Sequence, residues 1–269
     1  MFSVLILTLN EERNLPRCLA SLAGCDDVVV LDSGSTDRTA EIARSAGARV
    51  FTRAFDTFAS QRNFAQRELP FHYRWVFHLD ADEQMTPALI AECRTAAKEA
   101  DCDGFFVAPK MLFRGRWIPR STDYPAFQAR FVSAPEFSFV QVGHGQREAP
   151  GMRMRRLREN YLHDLSVGDD RAWRDKHERY ARDEAREYLR DGAANWRCLR
   201  SNDPLQRRRA LKKLSYRLPF RPQLRFIYQY LFRRGFLDGT AGLGYCRLLV
   251  RYERLVSLEL RHARPNHEQ

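Results

Sequence analysis

The stretch FHLDADEQ, residues 77–84, closes an apolar run with two carboxylates one residue apart, Asp80 and Asp82. In extended backbone, residues two apart point the same way, so both acids can face one ligand. Single strands often stop at an Asp, so the meaning of this stretch depends on its neighbours. Upstream, Phe2–Leu7, Val28–Leu31 and Arg49–Thr52 read as strands, as does Trp75–Leu79 itself; Phe105–Ala108 reads as one more. Between them, Leu15–Leu22, Thr36–Ala46, Thr57–Leu69 and Thr86–Ala100 carry helical signals. Gly47 is placed as a C-terminal cap, Thr86 as an N-cap, and Pro87 at a first helical position. Continuous apolar strands alternating with helices specify an α/β class with an open, mostly parallel sheet flanked by helices.

In such sheets ligands bind beyond the carboxyl ends of the strands. TLNEE (Thr8–Glu12) follows the first strand, DSGSTD (Asp32–Asp37) the second, and DADE (Asp80–Glu83) the strand at Trp75–Leu79. All three polar clusters therefore fall on one edge of the sheet. Each also contains good helix-capping residues, and a capping role is compatible with ligand binding because a helix N-terminus favours anions.

The chain has 269 residues, 44% of them hydrophobic, which is enough for a sizeable core. Its net charge of +11 points to an anionic partner: nucleic acid, a phosphorylated substrate or an anionic membrane surface. The charge is uneven, since Arg197–Arg234 holds twelve Lys and Arg against one acid, Asp203. Six scattered cysteines without a CxxC pair read as reduced thiols of a cytosolic protein. The opening residues read as a first strand and not as a signal peptide. No uncharged apolar run approaches the ~18 residues of a membrane span. The expected location is the cytoplasm, peripheral on the inner face of the cytoplasmic membrane.

A nucleoside-diphosphate sugar presents a base, a ribose and two phosphates. Carboxylates can accept from the ribose and base, and a divalent cation with oxygen ligands can offset the diphosphate charge. TLNEE, LDSGSTDRT and LDADE, in this order and spacing, resemble the inverting family 2 glycosyltransferases, closest to the branch that builds lipopolysaccharide cores and other bacterial surface glycans. FASQRNFA (Phe58–Ala65) and RRGFLDGTAGLGYCRLL near the C-terminus are also similar to that branch. The resemblance implies the GT-A nucleotide-diphospho-sugar transferase fold, an activated donor, by default a UDP-hexose, and Mg2+ or Mn2+. Carried over residue by residue, it implies that Thr8, Asn10 and Glu11 border the nucleotide. Asp32 and Ser33 would hold base or ribose, with Gly34 permitting close approach. Gln61 and Asn63 would position the donor. Asp80 and Ala81 would touch the donor, Asp80 through ribose or metal, and Asp82 would ligate the metal. His163, in YLHDLS, matches a further metal or phosphate contact.

Inversion needs a carboxylate to take the proton of the attacking hydroxyl. Glu148, at the end of GHGQRE (Gly143–Glu148), is the first candidate base, with Asp123 and Asp164 as competitors. Trp117, in FRGRWIP, is placed on the acceptor side as a stacking platform, or as a packed surface Trp. The implied acceptor is a lipopolysaccharide core, another surface polysaccharide or a lipid-linked sugar. Residues 1–165 are expected to form the catalytic unit, with the irregular 110–165 on the acceptor side. Residues 166–269 are expected to form a helical, basic, membrane-associating extension. Its first helix, Asp169–Leu189, carries a stripe including Trp173, His177, Tyr180, Ala181 and Tyr188 that reads as packing. The arginines and aromatics of Leu218–Phe232 read as interfacial amphipathic helix or as a solvated face over a packing layer.

Two other classes stay in view. A nucleic-acid or anionic-surface binding protein is permitted by charge, although no helix-turn-helix, zinc-finger or RNA-binding aromatic signature occurs. A sugar-nucleotide pyrophosphorylase would carry a Gly-rich loop after the first strand, where TLNEE has no Gly. An aspartyl phosphatase would place its DxDxT motif there, and a dinucleotide oxidoreductase a GxGxxG.

Overall fold

Apolar runs too short for helices and buried on both faces make the central strands. The computed structural model of the chain describes residues 1–142, 145–165, 170–190, 196–201, 204–216 and 218–262. In chain order its elements begin with β1 (Ser3–Thr8), α1 (Leu15–Ala20), β2 (Val28–Asp32), α2 (Thr39–Ser45), β3 (Arg49–Thr52), α3 (Phe58–Glu68) and β4 (Trp75–Asp80). Then come β5 (Glu83–Gln84), α4 (Pro87–Glu99), β6 (Gly104–Phe113), β7 (Arg116–Trp117), β8 (Gln128–Ser133), β9 (Phe139–Val142), β10 (Gly145–Glu148) and β11 (Met154–Asp164). The remainder is helical: α5 (Asp170–Arg190), α6 (Pro204–Ser215), α7 (Arg221–Ile227), a π-helical turn Tyr228–Phe232, a 3-10 turn Gly235–Asp238 and α8 (Gly239–His262).

The chain divides into two units: Met1–Gly115 with Asp123–Val167, and Arg116–Thr122 with Gly168–Gln269. In the first unit the sheet runs β3-β2-β1-β4-β8-β6-β11-β5. β3, β2, β1 and β4 are mutually parallel, and β6 is parallel to β11. β8 enters antiparallel between β4 and β6, and β5 is antiparallel to β11. Alternation along β1 splits the core between the two faces. Val4 and Ile6 join Val30, Phe77 and Leu79 beneath Leu15 and Cys18 of α1 and Leu89 and Cys93 of α4. Leu5 joins Val29, Leu31 and Val76 against Ala65 of α3. Each large apolar side chain so buried contributes about 1.5–3 kcal/mol.

Helix starts follow local chemistry. The Thr57 hydroxyl accepts from the Ser60 N–H at 3.2 Å to cap α3, and the Thr86 hydroxyl accepts from Leu89 N–H at 3.1 Å to cap α4. α2 begins at Thr39, later than the spacing predicts, because Asp37 holds the turn before it by accepting from the Thr39 N–H at 2.9 Å. Gly47, expected as a cap, has φ +81°.

The stretch 110–165 is more regular than the sequence pattern predicts. β6 continues to Phe113, β8 is buried almost throughout, and β11 spans eleven residues. Exposed charged side chains along β11, among them Arg155, Arg156 and Arg158, hide its alternation. In the second unit, Ala181, Ala185 and Tyr188 of α5 pack with Val256 and Leu260 of α8, as a packing stripe requires. Tyr180 and Leu189 of the same helix are exposed instead. The side chain of Trp173 lies outside the described residues.

Candidate active site

Strand order reverses at β1, with β2 on one side and β4 on the other; such a reversal opens a crevice at the carboxyl ends. The register sets those ends level. Thr8 pairs with Asp32, and Leu7 with Asp80. The three polar clusters thus rise from one edge, as their sequence positions predict.

TLNEE and DSGSTD are laced together. The Thr8 hydroxyl donates to Asp32 Oδ1 at 2.8 Å, and Asp32 Oδ2 accepts from the N–H of Ser35 at 2.8 Å and of Gly34 at 3.1 Å. The Ser33 N–H donates to the Thr8 carbonyl at 2.8 Å. Asn10, at φ +56°, donates its N–H to Ser35 Oγ and accepts from the Thr36 N–H, both at 2.8 Å. The Glu11 N–H donates to Thr39 Oγ1 at 2.8 Å, and the Glu11 carboxylate accepts from Asn14 Nδ2 at 2.7 Å. Thr8 and Asp32 are buried and shape the rim; Asn10, Glu11, Ser33 and Gly34 lie at its surface. Gly34 has φ +92°, and a Cβ added there meets no atom within 4 Å. The left-handed backbone is why glycine stands at this point, and the space beside it is open to a ligand.

The Asp80–Glu83 turn is built differently. Asp80 lies between two buried guanidinium groups: Arg62 of α3 at 2.6 Å from Oδ1 and Arg130 of β8 at 2.9 Å from Oδ2. Arg130 also donates to Glu83 Oε1 at 2.8 Å and to the His78 carbonyl at 3.2 Å, and Glu83 Oε2 accepts the Asp80 N–H at 2.9 Å. Ala81, between the two acids, is buried. After the turn, β5 pairs with the end of β11 so that Glu83 stands opposite His163. That pairing brings His163 Nε2 to 3.4 Å from Asp82 Oδ2 and its Nδ1 to 3.7 Å from Glu83.

Burial raises the Asp80 carboxyl, but the charges of Arg130 and Arg62 outweigh it and hold Asp80 below the usual carboxylate range. Glu83 goes the other way: burial and the adjacent Asp80 charge push it up to about 7 against the pull of Arg130. Burial lowers His163, yet Asp82 and its acidic neighbours carry it above its ordinary value. His78, buried beneath the turn with both ring nitrogens unpartnered, is held well below its ordinary value by burial and by the two arginines.

Other sequence-predicted residues stand elsewhere. Gln61 is buried and spends its amide on the carbonyls of Arg53 and Ala54, at 3.3 and 2.9 Å. Asn63 clasps Phe139 in both directions at 2.8 Å, tying α3 to the β9–β10 hairpin. Glu148 lies on β10, with Arg147 at 3.3 Å from its carboxylate; among the described residues no hydrogen bond or ion pair links it to the Asp80–Glu83 turn. Gly143 and His144 of the same motif lie outside the described residues. Asp164, beside His163, is paired with Arg17 at 2.8 Å, and Asp123 is exposed. Trp117 is half-exposed on β7 and belongs to the second unit.

Among the described residues, no group of three or more His, Cys, Asp or Glu side chains is arranged to hold a metal by itself. The fit is to an ion shared with a ligand. Asp82 and His163 could supply one oxygen and one nitrogen donor, a partial set that phosphate oxygens would complete around Mn2+; Mg2+ would draw on the Asp82 oxygen alone. Both oxygens of Asp80 already accept from arginine.

Periodicity and motif spacing passed over Arg62 and Arg130. The available signal was an Arg inside the otherwise apolar run ARFV, because a charge in a buried strand requires a partner.

The profile of the family described as Glycosyl transferase family 2 matches residues 3–156. The lipopolysaccharide core biosynthesis glycosyltransferase LpsC of Rhizobium meliloti is 39% identical over 92 residues, 32% of this chain and 33% of that protein. The chain spans about a third of the length of the curated relatives it matches. Among solved structures, Staphylococcus aureus TarS 1–349 in complex with UDP-GlcNAc is similar at TM-score 0.47 and 16% identity, covering 99% of this chain and 93% of that one. Mycobacterium tuberculosis glucosyl-3-phosphoglycerate synthase with Mn2+ and UDP-glucose is similar at TM-score 0.35 and 21% identity, over 42% of this chain and 44% of that one.

Proposed function

The chain belongs to glycosyltransferase family 2 and has the GT-A fold, and from that premise we propose that it moves a hexose from a nucleoside-diphosphate donor, UDP-hexose, to a hydroxyl of a surface-glycan or lipopolysaccharide-core acceptor with inversion at the anomeric carbon. The observation that supports this most directly is the register, which levels Thr8, Asp32 and Asp80 at the strand-order reversal. The open space beside Gly34 gives a base and ribose room against the Asn10–Glu12 rim. Similarity to LpsC over 92 residues supports the acceptor class.

In this reading each side chain has a bounded task. Asp80, fixed by Arg62 and Arg130, accepts from the ribose with the lone pairs the arginines leave. Asp82 and His163 are the residues that would hold a divalent cation, which would supply positive charge to offset that of the diphosphate. The acceptor oxygen forms a bond to the anomeric carbon as the bond from that carbon to the diphosphate oxygen breaks. The hydroxyl proton passes to a carboxylate, assigned to Glu148. Gln61 and Asn63 act indirectly, by holding the loop and hairpin that flank the crevice.

Thermal-shift titration of UDP, GDP and dTDP, with and without Mn2+ or Mg2+, tests the donor half. One nucleotide should stabilise the protein in a metal-dependent way, and Asp82→Ala should abolish that shift. No shift from any nucleotide at millimolar concentration refutes the reading. For the base, Glu148→Gln should keep nucleotide binding and lose turnover by ~100-fold or more; full turnover moves the role to Asp164 or Asp123.

A further inference from the structure

Helix α7 and the π-helical turn after it form one continuous helical run, residues 221–232, and it is inside out. Leu224, Ile227, Tyr228 and Leu231 recur at i, i+3, i+4 and i+7, the spacing of a single helix face, and all four are exposed. The positions turned inward are polar: Arg221 is 8% exposed and Gln229 is 1% exposed. Arg221 is held by Glu253 at 2.7 Å, and the Gln229 amide donates to the Arg120 carbonyl at 3.3 Å. The inward face is therefore specified by polar contacts, and rotation of the helix to bury its leucines would break them. The run is capped at both ends by the most exposed large hydrophobic residues of the described chain, Phe220 at 73% and Phe232 at 76%. A contiguous apolar face of this kind is a binding surface.

The charge around it identifies the occupant. Along α8, Arg247, Arg251 and Arg254 are exposed on one helix face. They rim a groove of about 360 Å³ whose apolar floor is Phe226, Ile227 and Val250. Apolar side chains directed outward beside a guanidinium rim match a layer of acyl chains beneath anionic phosphates. No described helix is long and apolar enough to cross a membrane, so this face would lie in the interface and not span it.

We propose that residues 218–237 form an interfacial wedge that seats the second unit on an anionic phospholipid bilayer, with Phe220, Leu224, Leu231 and Phe232 among the acyl chains and Arg247, Arg251 and Arg254 on lipid phosphates. The proposal rests on the second unit alone and does not depend on the donor chemistry.

Vesicle flotation of the full chain tests it, using phosphatidylcholine vesicles with and without about one-third phosphatidylglycerol. The protein should float with the anionic vesicles, less so as salt rises and poorly with phosphatidylcholine alone. Leu224→Ser/Leu231→Ser/Phe232→Ser should reduce the bound fraction ~10-fold or more at unchanged melting temperature, because these side chains face solvent. Should the triple variant fail to fold, Phe232→Ser alone should still give a several-fold fall. Arg247→Gln/Arg254→Gln should remove the preference for phosphatidylglycerol. Wild-type protein that stays with the soluble fraction, or patch variants that float as well as wild type, would overturn the proposal. So would a wild-type dimer in light scattering that the patch substitutions dissociate, since the occupant would then be a second copy. Nucleotide titration of the same samples separates the two readings: flotation without nucleotide binding refutes only the transferase, and the converse refutes only the wedge.

Discussion

Replacing Arg130 with Met isolates the contribution of the buried charge cluster. The guanidinium is 3% exposed and donates to Asp80 at 2.9 Å, to Glu83 at 2.8 Å and to the His78 carbonyl at 3.2 Å. Methionine fills much of the stem volume but supplies no donor. Asp80 retains Arg62 at 2.6 Å, whereas Glu83 loses its one close guanidinium partner among the described residues and keeps His163 at 3.7 Å and the charge of Arg62. Removing one member of a buried ion pair typically costs about 3–5 kcal/mol, because the partner's desolvation is no longer offset. At roughly 2–4 °C per kcal/mol for a chain of this size, the melting temperature should fall by roughly 6–20 °C. Near-UV circular dichroism against temperature at pH 7.5 reads it. Arg38→Met, which removes an exposed pair with Glu41 at 3.5 Å, is the comparison and should leave the melt unchanged. An Arg130→Met melt within about 2 °C of wild type, or above it, would show that the cluster gains nothing over apolar packing and would refute the reasoning.

A second cluster predicts an acid limb. Burial raises the Asp27 carboxyl, but the Ser3 hydroxyl, the His72 N–H at 2.8 Å and Arg49 at 2.6 Å together hold it below its ordinary value. Its stabilisation is therefore complete above the unfolded value near ~3.9 and disappears as pH falls through the lower folded value. Asp27→Asn should cost about 1.5–3 kcal/mol at neutral pH and flatten the decline of stability below pH ~4 in urea titrations; an equally steep decline sinks the assignment. Gly242→Ala would place a methyl 2.4 Å from the Gly235 carbonyl oxygen and 2.7 Å from both Asp238 Cβ and Ser121 Oγ. Overpacking of about 1–3 kcal/mol should outweigh the helix-propensity gain of ~1 kcal/mol. A urea midpoint at or above wild type would contradict the close packing.

How much the sequence revealed varies with the physics of each element. β1, β2 and β4 are buried on both faces, so SVLILT, VVVLD and WVFHLD stand out as unbroken apolar runs. The cap of α4 was equally legible, because Thr86 acts through its own next turn; Thr57, expected as the first helical residue, caps α3 instead. β11 was not, since exposed arginines interrupt its alternation and its pairing with β6 shifts register between Arg156 and Asn160. The rim residues Asn10, Glu11, Asp32 and Gly34 follow from their position after strands. Arg62 and Arg130 do not, because their partner Asp80 lies 18 and 50 residues away and only the fold brings them together. Gln61 and Asn63 add a contact that the sequence did not reveal, since each amide bonds a backbone carbonyl distant in sequence or outside its own helix.

The short segment Arg116–Thr122 has a consequence for how the protein is made. It belongs to the second unit, and its backbone N–H groups at Arg120 and Ser121 are accepted by Asp238, at 3.0 and 2.7 Å. Asp238 is 117 residues further along the chain than Ser121. At about 5–20 residues per second, a ribosome needs roughly 6–23 s to deliver that carboxylate after the segment has been synthesised. For that interval the nascent chain carries the segment without its acceptor, although the sheet on either side of it can already pair. Premature termination anywhere before Asp238 of the GFLDG turn would leave it in that state permanently, so the segment's backbone donors depend on synthesis passing that residue.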